Sequence, residues 1–272
     1  MTGGRSGLVL VDRPGEGVRR LTLDRPEVLN AMNAELVAAL HEQLDAAAAD
    51  PSCRIVILTG AGRGFSAGLD LQGYGIAPGT RGDGPVQRLF ASQQHIVGLI
   101  SHLRRLPVPV IAAVNGPAAG GGFALVLGSD VRIAARSATF NAAFVRIGLS
   151  GCDIGTSWLL PKLVGVGRAH ELMLTGRIVD AAEAARIGLV LDVVDDDDLE
   201  RSALEHAASI ARNSPMGVRM TKEVMWSALE VPGAQAAIDL ENRTQVMLAQ
   251  TDDHREAVDA FVERRAPVFH DR

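Results

Sequence analysis

Residues Val110–Asp130 read VIAAVNGPAAGGGFALVLGSD. Val110–Val114 is apolar, small and β-branched enough for a buried strand. Asn115-Gly116-Pro117 breaks it, and Gly120-Gly121-Gly122 leads into a second apolar run, Phe123–Leu127. A strand, a glycine turn and a helix start put backbone N–H groups in open space at a helix N-terminus. Their partial positive charge favours an anion or a developing oxyanion there. Glycine suits the position because a Cβ would block a ligand's approach to the backbone. The same triplet also suits close helix–strand packing with no ligand, so taken alone it leaves both readings open.

Upstream, Leu8–Asp12 and Val18–Leu23 alternate around Pro14-Gly15 and predict a hairpin turning there. Asn33 is placed to cap a helix over Ala34–Ala48, with Leu36, Leu40 and Leu44 along one face, and Asp50-Pro51 ends it. Ile55–Thr59 predicts a buried strand, followed by the glycine loop Gly60–Ala67 and Gly68-Leu69-Asp70-Leu71. Gly73–Pro85 is rich in glycine and proline and reads as a mobile segment or lid. Arg88–Leu106 reads as a helix with Leu89, Ile96, Leu99, Ile100 and Leu103 near one face.

Beyond the triplet, Val131–Ala134 and Thr139–Asn141 are strand-like, and Asp130 reads as the start of the first of them. Helices are predicted over Ile154–Leu163, Ala169–Leu174 and Ala181–Ile187, with Asp195–Asp198 an acidic turn. From Leu199 the pattern is helical, broken at Ser214-Pro215 and Val231-Pro232-Gly233. The division therefore falls at residues 1–199, an α/β part, and 200–272, a helical part.

With 272 residues, 47% of them hydrophobic, the chain has enough apolar surface for a large core. A net charge of −5 with no basic block argues against nucleic acid and membrane surfaces as partners. Cys53 and Cys152 stand alone, without metal-ligand spacing, which suits free thiols in a reducing cytoplasm. The N-terminus has no sustained apolar run, and no stretch approaches the ~18 residues of a membrane span. The expectation is a soluble cytoplasmic protein.

Two glycine loops, each after a buried strand, carry a family resemblance. Arg63-Gly64-Phe65-Ser66-Ala67-Gly68-Leu69-Asp70-Leu71 resembles the first signature of the crotonase (enoyl-CoA hydratase/isomerase) superfamily. Pro109–Gly116 with Gly120-Gly121-Gly122 resembles the second. Leu23–Pro26 with Leu29–Met32, Leu174–Arg177 with Ala181–Leu189, and Ala260–Arg265 with Pro267–Phe269 are similar to its opening, middle and end.

The resemblance implies an α/β fold, a crotonase-like spiral of ββα units in two roughly perpendicular sheets with a helical C-terminal oligomerisation part. It implies a homo-trimer or a dimer of trimers, and an acyl-CoA thioester as substrate in fatty-acid degradation, with no metal or redox cofactor. The thioester carbonyl would lie between the backbone N–H groups of Leu69 and Gly121. Such donors stabilise an enolate more than the ground-state carbonyl, each by ~3 kcal/mol. Coenzyme A would run along Arg25, Val28, Ala67, Gly68, Asp70, Leu71 and Gln72. Phe261 would lie near the adenine and Arg264 near the phosphates, often from a neighbouring subunit. Arg264 reads equally as an ordinary exposed charge.

The chain departs from that pattern where hydration is done. The two glutamates of the hydratase reaction fall on Ala124 and Phe144, and neither side chain can carry a proton. Asp153 remains, matching an acid/base aspartate of the family's isomerases when counted back from Leu159-Leu160-Pro161. One carboxylate suffices for a 1,3-proton shift. An aspartate just before a helix also reads as its N-cap. Tyr74, with Ala124 and Phe144, is placed in the pocket wall, and His95 on a flanking helix. The residues favour isomerisation or related single-carboxylate chemistry over hydration. The alternative is a non-catalytic acyl-CoA binding or carrier protein that kept the hole and lost the acids.

Overall fold

The N-terminal alternation does fold as a hairpin, with its turn displaced. β1 (Val9–Gly15) and β2 (Val18–Leu23) pair antiparallel, from Val9 opposite Leu23 to Gly15 opposite Val18. The turn is therefore Glu16-Gly17 and not Pro14-Gly15. Gly17 sits at φ 68°, and a register shift between Asp12 and Gly15 accommodates Pro14 within the edge strand. The computed structural model describes residues 7–272; the part of the leader reading that rests on residues 1–6 lies outside them.

Asn33 caps α1 (Ala34–Ala49) as expected, its side chain accepting the Leu36 N–H at 2.9 Å. Leu36, Leu40 and Leu44 are fully buried, each burial worth roughly 1.5–3 kcal/mol. β3 (Ile55–Gly60) follows, and after an irregular glycine-rich stretch α2 (Pro85–Arg105) begins at Pro85, three residues before Arg88. β4 (Val110–Val114) leads to β5 (Pro117–Ala119), a short strand inside what reads as a glycine turn, and then to α3 (Gly121–Gly128).

The chain continues through β6 (Val131–Ala135), β7 (Thr139–Asn141), a 3₁₀ turn at Ala143–Ile147 and α4 (Thr156–Val164). α4 starts at Thr156 and not Ile154, because Ile154 and Gly155 are both in the left-handed region, at φ 46° and 76°. Then come α5 (Val166–Thr175), β8 (Val179–Asp180), α6 (Ala181–Arg186) and β9 (Asp192–Val194). The C-terminal helices are α7 (Leu199–Ala211), α8 (Pro215–Ala228), α9 (Ala234–Leu248) and α10 (Asp252–Glu263).

Among the described residues the strands form a six-stranded sheet, β1-β2-β3-β4-β6-β9, and a three-stranded sheet, β5-β7-β8. From β2 to β9 every pairing in the large sheet is parallel. Both faces of it are covered. Val56, Leu58, Val110 and Ala112 join the main core with the apolar stripes of α1 and α2 and all of α3. Ile55, Ile57, Ile111, Ala113 and Ile133 point the other way, against Leu199, Ala203 and Ala207 of α7.

α8 is fastened to the sheet by a buried ion pair. Lys222 is buried, its Nζ 2.8 Å from Asp130 Oδ2 and donating to the carbonyls of Leu103 and Val108. Asp130 also accepts from Trp226 Nε1 and from the Val110 N–H. Asp130 thus stands just ahead of β6 as a hub joining α8 to β4. Burial pushes the Lys222 ammonium down from its ordinary value, and Asp130 opposes that shift.

Candidate functional site

Two backbone segments, distant in sequence, meet in front of α3. Met32 pairs with Leu69, and Ser66 with Ala118, as isolated parallel bridges. The Met32 N–H donates to the Gly68 carbonyl at 2.7 Å, and the Asp70 N–H donates to the Met32 carbonyl at 3.0 Å. In a parallel bridge of this form the intervening residue turns its own N–H to the other side. The Leu69 N–H accordingly faces away from Met32 and has no partner among the described residues.

On the second segment, the Ala119 N–H donates to the Ser66 carbonyl at 2.9 Å and the Gly120 N–H to the Asn141 carbonyl at 3.0 Å. Gly121 then opens α3, where the first N–H groups have no intrahelical acceptor. Its N–H is also unpaired among the described residues. Glycine permits this approach. A Cβ on Gly68 would lie 2.6 Å from the Ala119 carbonyl oxygen and 3.1 Å from the Gly121 nitrogen. One on Gly122 would lie 2.3 Å from the Ser66 carbonyl oxygen.

A buried amide fixes the first loop. Asn30 donates to the carbonyls of Ala61 and Gly64, accepts the Arg25 N–H, and offers its own carbonyl to Ser66 Oγ. Asn115 ties the same loop from the other side through Gly60 N–H and the Gly62 carbonyl. The oxygen and the nitrogen of both amide side chains are thus satisfied, as burial requires.

The wall beside Gly121 is apolar. A Cβ there would lie 2.7 Å from Met32 Cε, 3.2 Å from Ile154 Cδ1 and 3.5 Å from Ile96 Cδ1. Ile154 is a β-branched residue at positive φ, a conformation costing on the order of 1–3 kcal/mol. Its side chain, 3% exposed, is what holds it in the wall. Asp153 precedes it and is half-buried. Asp153 Oδ1 accepts from the Ile154 N–H at 2.8 Å and from Gln93 Nε2, and Oδ2 has no partner among the described residues. The N-cap of α4 is Gly155, so the Asp153 carboxylate does not cap that helix.

The family model described as enoyl-CoA hydratase/isomerase matches residues 13–272. The chain is 43% identical over 265 residues to a "probable enoyl-CoA hydratase" of Mycobacterium bovis, covering 97% of this chain and 93% of that one. It is 42% identical over 255 residues to the 1,2-epoxyphenylacetyl-CoA isomerase of Escherichia coli, covering 93% and 95%. The crystal structure of a probable enoyl-CoA hydratase/isomerase from Mycobacterium abscessus superposes with a TM-score of 0.91 at 37% identity, covering 98% and 100%. The chain belongs to the enoyl-CoA hydratase/isomerase family. It has the crotonase fold and is an enzyme of that family.

In this crotonase Ala124 is fully buried in α3, and Phe144 is 3% exposed, its ring edge packed toward Gly120. Neither position offers a group that transfers protons. Most of the residues assigned to coenzyme A gather around one loop. Arg25 bridges the Ala31 carbonyl at 2.6 Å and Asp70 Oδ2 at 2.9 Å. Its guanidinium and the Gln72 N–H hold the Asp70 carboxyl below its ordinary value. Val28 lies in the 3₁₀ turn Pro26–Val28, the Ala67 N–H donates to the Leu29 carbonyl, and Leu71 and Gln72 are exposed. Phe261 and Arg264 stand apart, exposed at the end of α10, with no hydrogen bond among the described residues joining them to that loop.

Tyr74, assigned to the pocket wall by the sequence, is half-buried and packs against the main core. Its hydroxyl lies 2.9 Å from His95 Nδ1, and burial pushes the phenol well above its usual range. The His95 carbonyl meets His41 Nε2, and His41 Nδ1 faces His102 Nδ1 at 3.0 Å. Burial lowers both His95 and His102. Sequence reasoning missed this cluster and missed Gln93. No local signal marks Gln93: Leu89, expected on the same apolar face, is exposed, and the buried stripe of α2 begins only at Ile96.

Proposed function

We propose that this protein moves a proton between carbons of an unsaturated or otherwise α-acidic acyl-CoA thioester. The carrying observation is Asp153, a carboxylate with one oxygen free, adjoining the Ile154–Gly121 wall, while Ala124 and Phe144 stand where hydratase glutamates would be. Asp153 takes the α-proton of a β,γ-enoyl thioester, and the C–H electron pair delocalises onto the thioester oxygen. The unpaired N–H groups of Leu69 and Gly121 receive that charge. Protonation at the γ carbon by the same carboxyl gives the conjugated α,β-enoyl thioester, with atoms and charge balanced and no redox partner.

The supporting likenesses point both ways between hydration and isomerisation, since relatives carry both names. The replaced glutamates favour isomerisation. We further propose fatty-acid degradation as the setting, the cytoplasm as the compartment, and the thioester itself as the only coenzyme required. Among the described residues no helix is long and apolar enough to cross a membrane.

The proposed assembly is a homo-trimer or a dimer of trimers, with residues 200–272 as the oligomerisation part beside a 1–199 core. Exposed Ile238, Val246, Met247, Val258, Phe261 and Val262 on α9 and α10 support it. Product analysis separates the reactions. A β,γ-enoyl-CoA should be converted to its conjugated isomer, whereas an α,β-enoyl-CoA should be hydrated at least a hundredfold more slowly. Rapid hydration would contradict the reading.

A further inference from the structure

We propose that Gln93 is a positioning residue for Asp153. The inference rests on Asp153 being the proton carrier. Gln93 Nε2 and the Ile154 N–H donate to the same carboxylate oxygen, Oδ1. An ionised carboxylate accepts at both oxygens, so two donors on one of them fix its plane and leave the other to face the substrate. The two donors come from separate elements. Ile154 belongs to the turn before α4, and its N–H direction is set by its left-handed backbone. Gln93 belongs to α2, and Ile96, one turn further along the same face, borders the Gly121 wall. One face of α2 therefore contacts both halves of the site, the carboxylate through Gln93 and the backbone donor's surroundings through Ile96.

Without the amide, Asp153 keeps only the N–H of its own neighbour, and its side chain is free to rotate. A displacement of an ångström at a reacting group costs on the order of a hundredfold in rate. Gln93 itself is exposed and touches no buried core residue through a hydrogen bond, so its loss should leave the fold unchanged.

The test uses the full-length protein and β,γ-hexenoyl-CoA, following solvent-deuterium uptake at the α and γ carbons together with formation of the conjugated isomer. Gln93→Met keeps the length and removes the donor. It should lower kcat roughly tenfold to a hundredfold with KM within about twofold, and leave the thermal melt in place. Gln93→Glu puts an acceptor opposite the carboxylate. Its activity should be lowest where the introduced carboxyl is ionised and should recover in acid, where that carboxyl regains a proton to donate. A wild-type kcat in Gln93→Met would overturn the proposal. So would equal losses in the two variants at every pH, or a rise in KM without a fall in kcat. Asp153→Asn, run alongside, tests the underlying reading separately. Full exchange in Asp153→Asn sinks the proton-carrier role whatever Gln93 does, while an inactive Asp153→Asn beside a fully active Gln93→Met sinks only the role of Gln93.

Discussion

The two halves of the site are built in different ways. The half proposed to stabilise charge is backbone: Leu69 and Gly121 offer N–H groups aimed by parallel bridges and by a buried asparagine knot. The half proposed to carry the proton is side chain: Asp153 sits on a strained, half-exposed turn and accepts from Gln93 of a neighbouring helix. Geometry in the first half is inseparable from folding. In the second half it is added on top of a fold that does not depend on it. A carboxylate placed this way can be changed without disturbing the backbone donors, and this chain carries Asp153 with Ala124 and Phe144 elsewhere in the site.

Breaking the backbone half should have the largest effect. In Gly122→Ala the new methyl would collide with the Ser66 carbonyl at 2.3 Å, which neither segment can yield without parting. We expect a loss of more than about 4 kcal/mol, seen as absent or non-cooperative thermal unfolding. Asn30→Ala comes next, because it leaves the Ala61 and Gly64 carbonyls and the Arg25 N–H without their partner. A loss of roughly 2–4 kcal/mol is expected in denaturant titrations, with thioester binding falling in parallel.

Asp70→Asn probes the strap between them. The folded-state Asp70 carboxyl lies below its ordinary value of 3.8 because Arg25 and Gln72 donate to it. A depressed folded value means stability that is present above the ordinary pKa and lost as the pH falls through the folded one. The melting temperature should therefore drop on acidification below about pH 4, and Asp70→Asn should flatten that limb. Smallest of all is the effect of Gln93→Met on stability, expected within about 0.5 kcal/mol even as exchange slows.

The same contrast explains what was legible in the sequence. The glycine loops could be read because close backbone approach excludes every side chain, and that demand is written at Gly68, Gly121 and Gly122 themselves. Asn33 and the Leu36, Leu40, Leu44 stripe were legible for a similar reason, since caps and stripes are local. The hairpin turn was misplaced because Pro14-Gly15 is a strong turn signal, and only the pairing of Gly15 with Val18 moves the turn to Gly17. The start of α4 was misplaced because nothing local marks Ile154 for a left-handed conformation; its buried contact with Gly121 imposes it. β5, β8 and β9 are two or three residues long and take their form from partners across the sheet. Gln93 and the His41, His95, His102 cluster depend on how α1, α2 and the loops pack, which no single stretch encodes.

Asp153 is proposed as the sole proton carrier of this enzyme. Deuterium incorporation at the α and γ carbons of β,γ-hexenoyl-CoA in heavy water tests it, comparing wild type with Asp153→Asn at matched thioester occupancy. The account predicts steady exchange in the wild type and a loss of roughly a thousandfold or more in Asp153→Asn, with binding retained. Exchange at the wild-type rate in Asp153→Asn would contradict it.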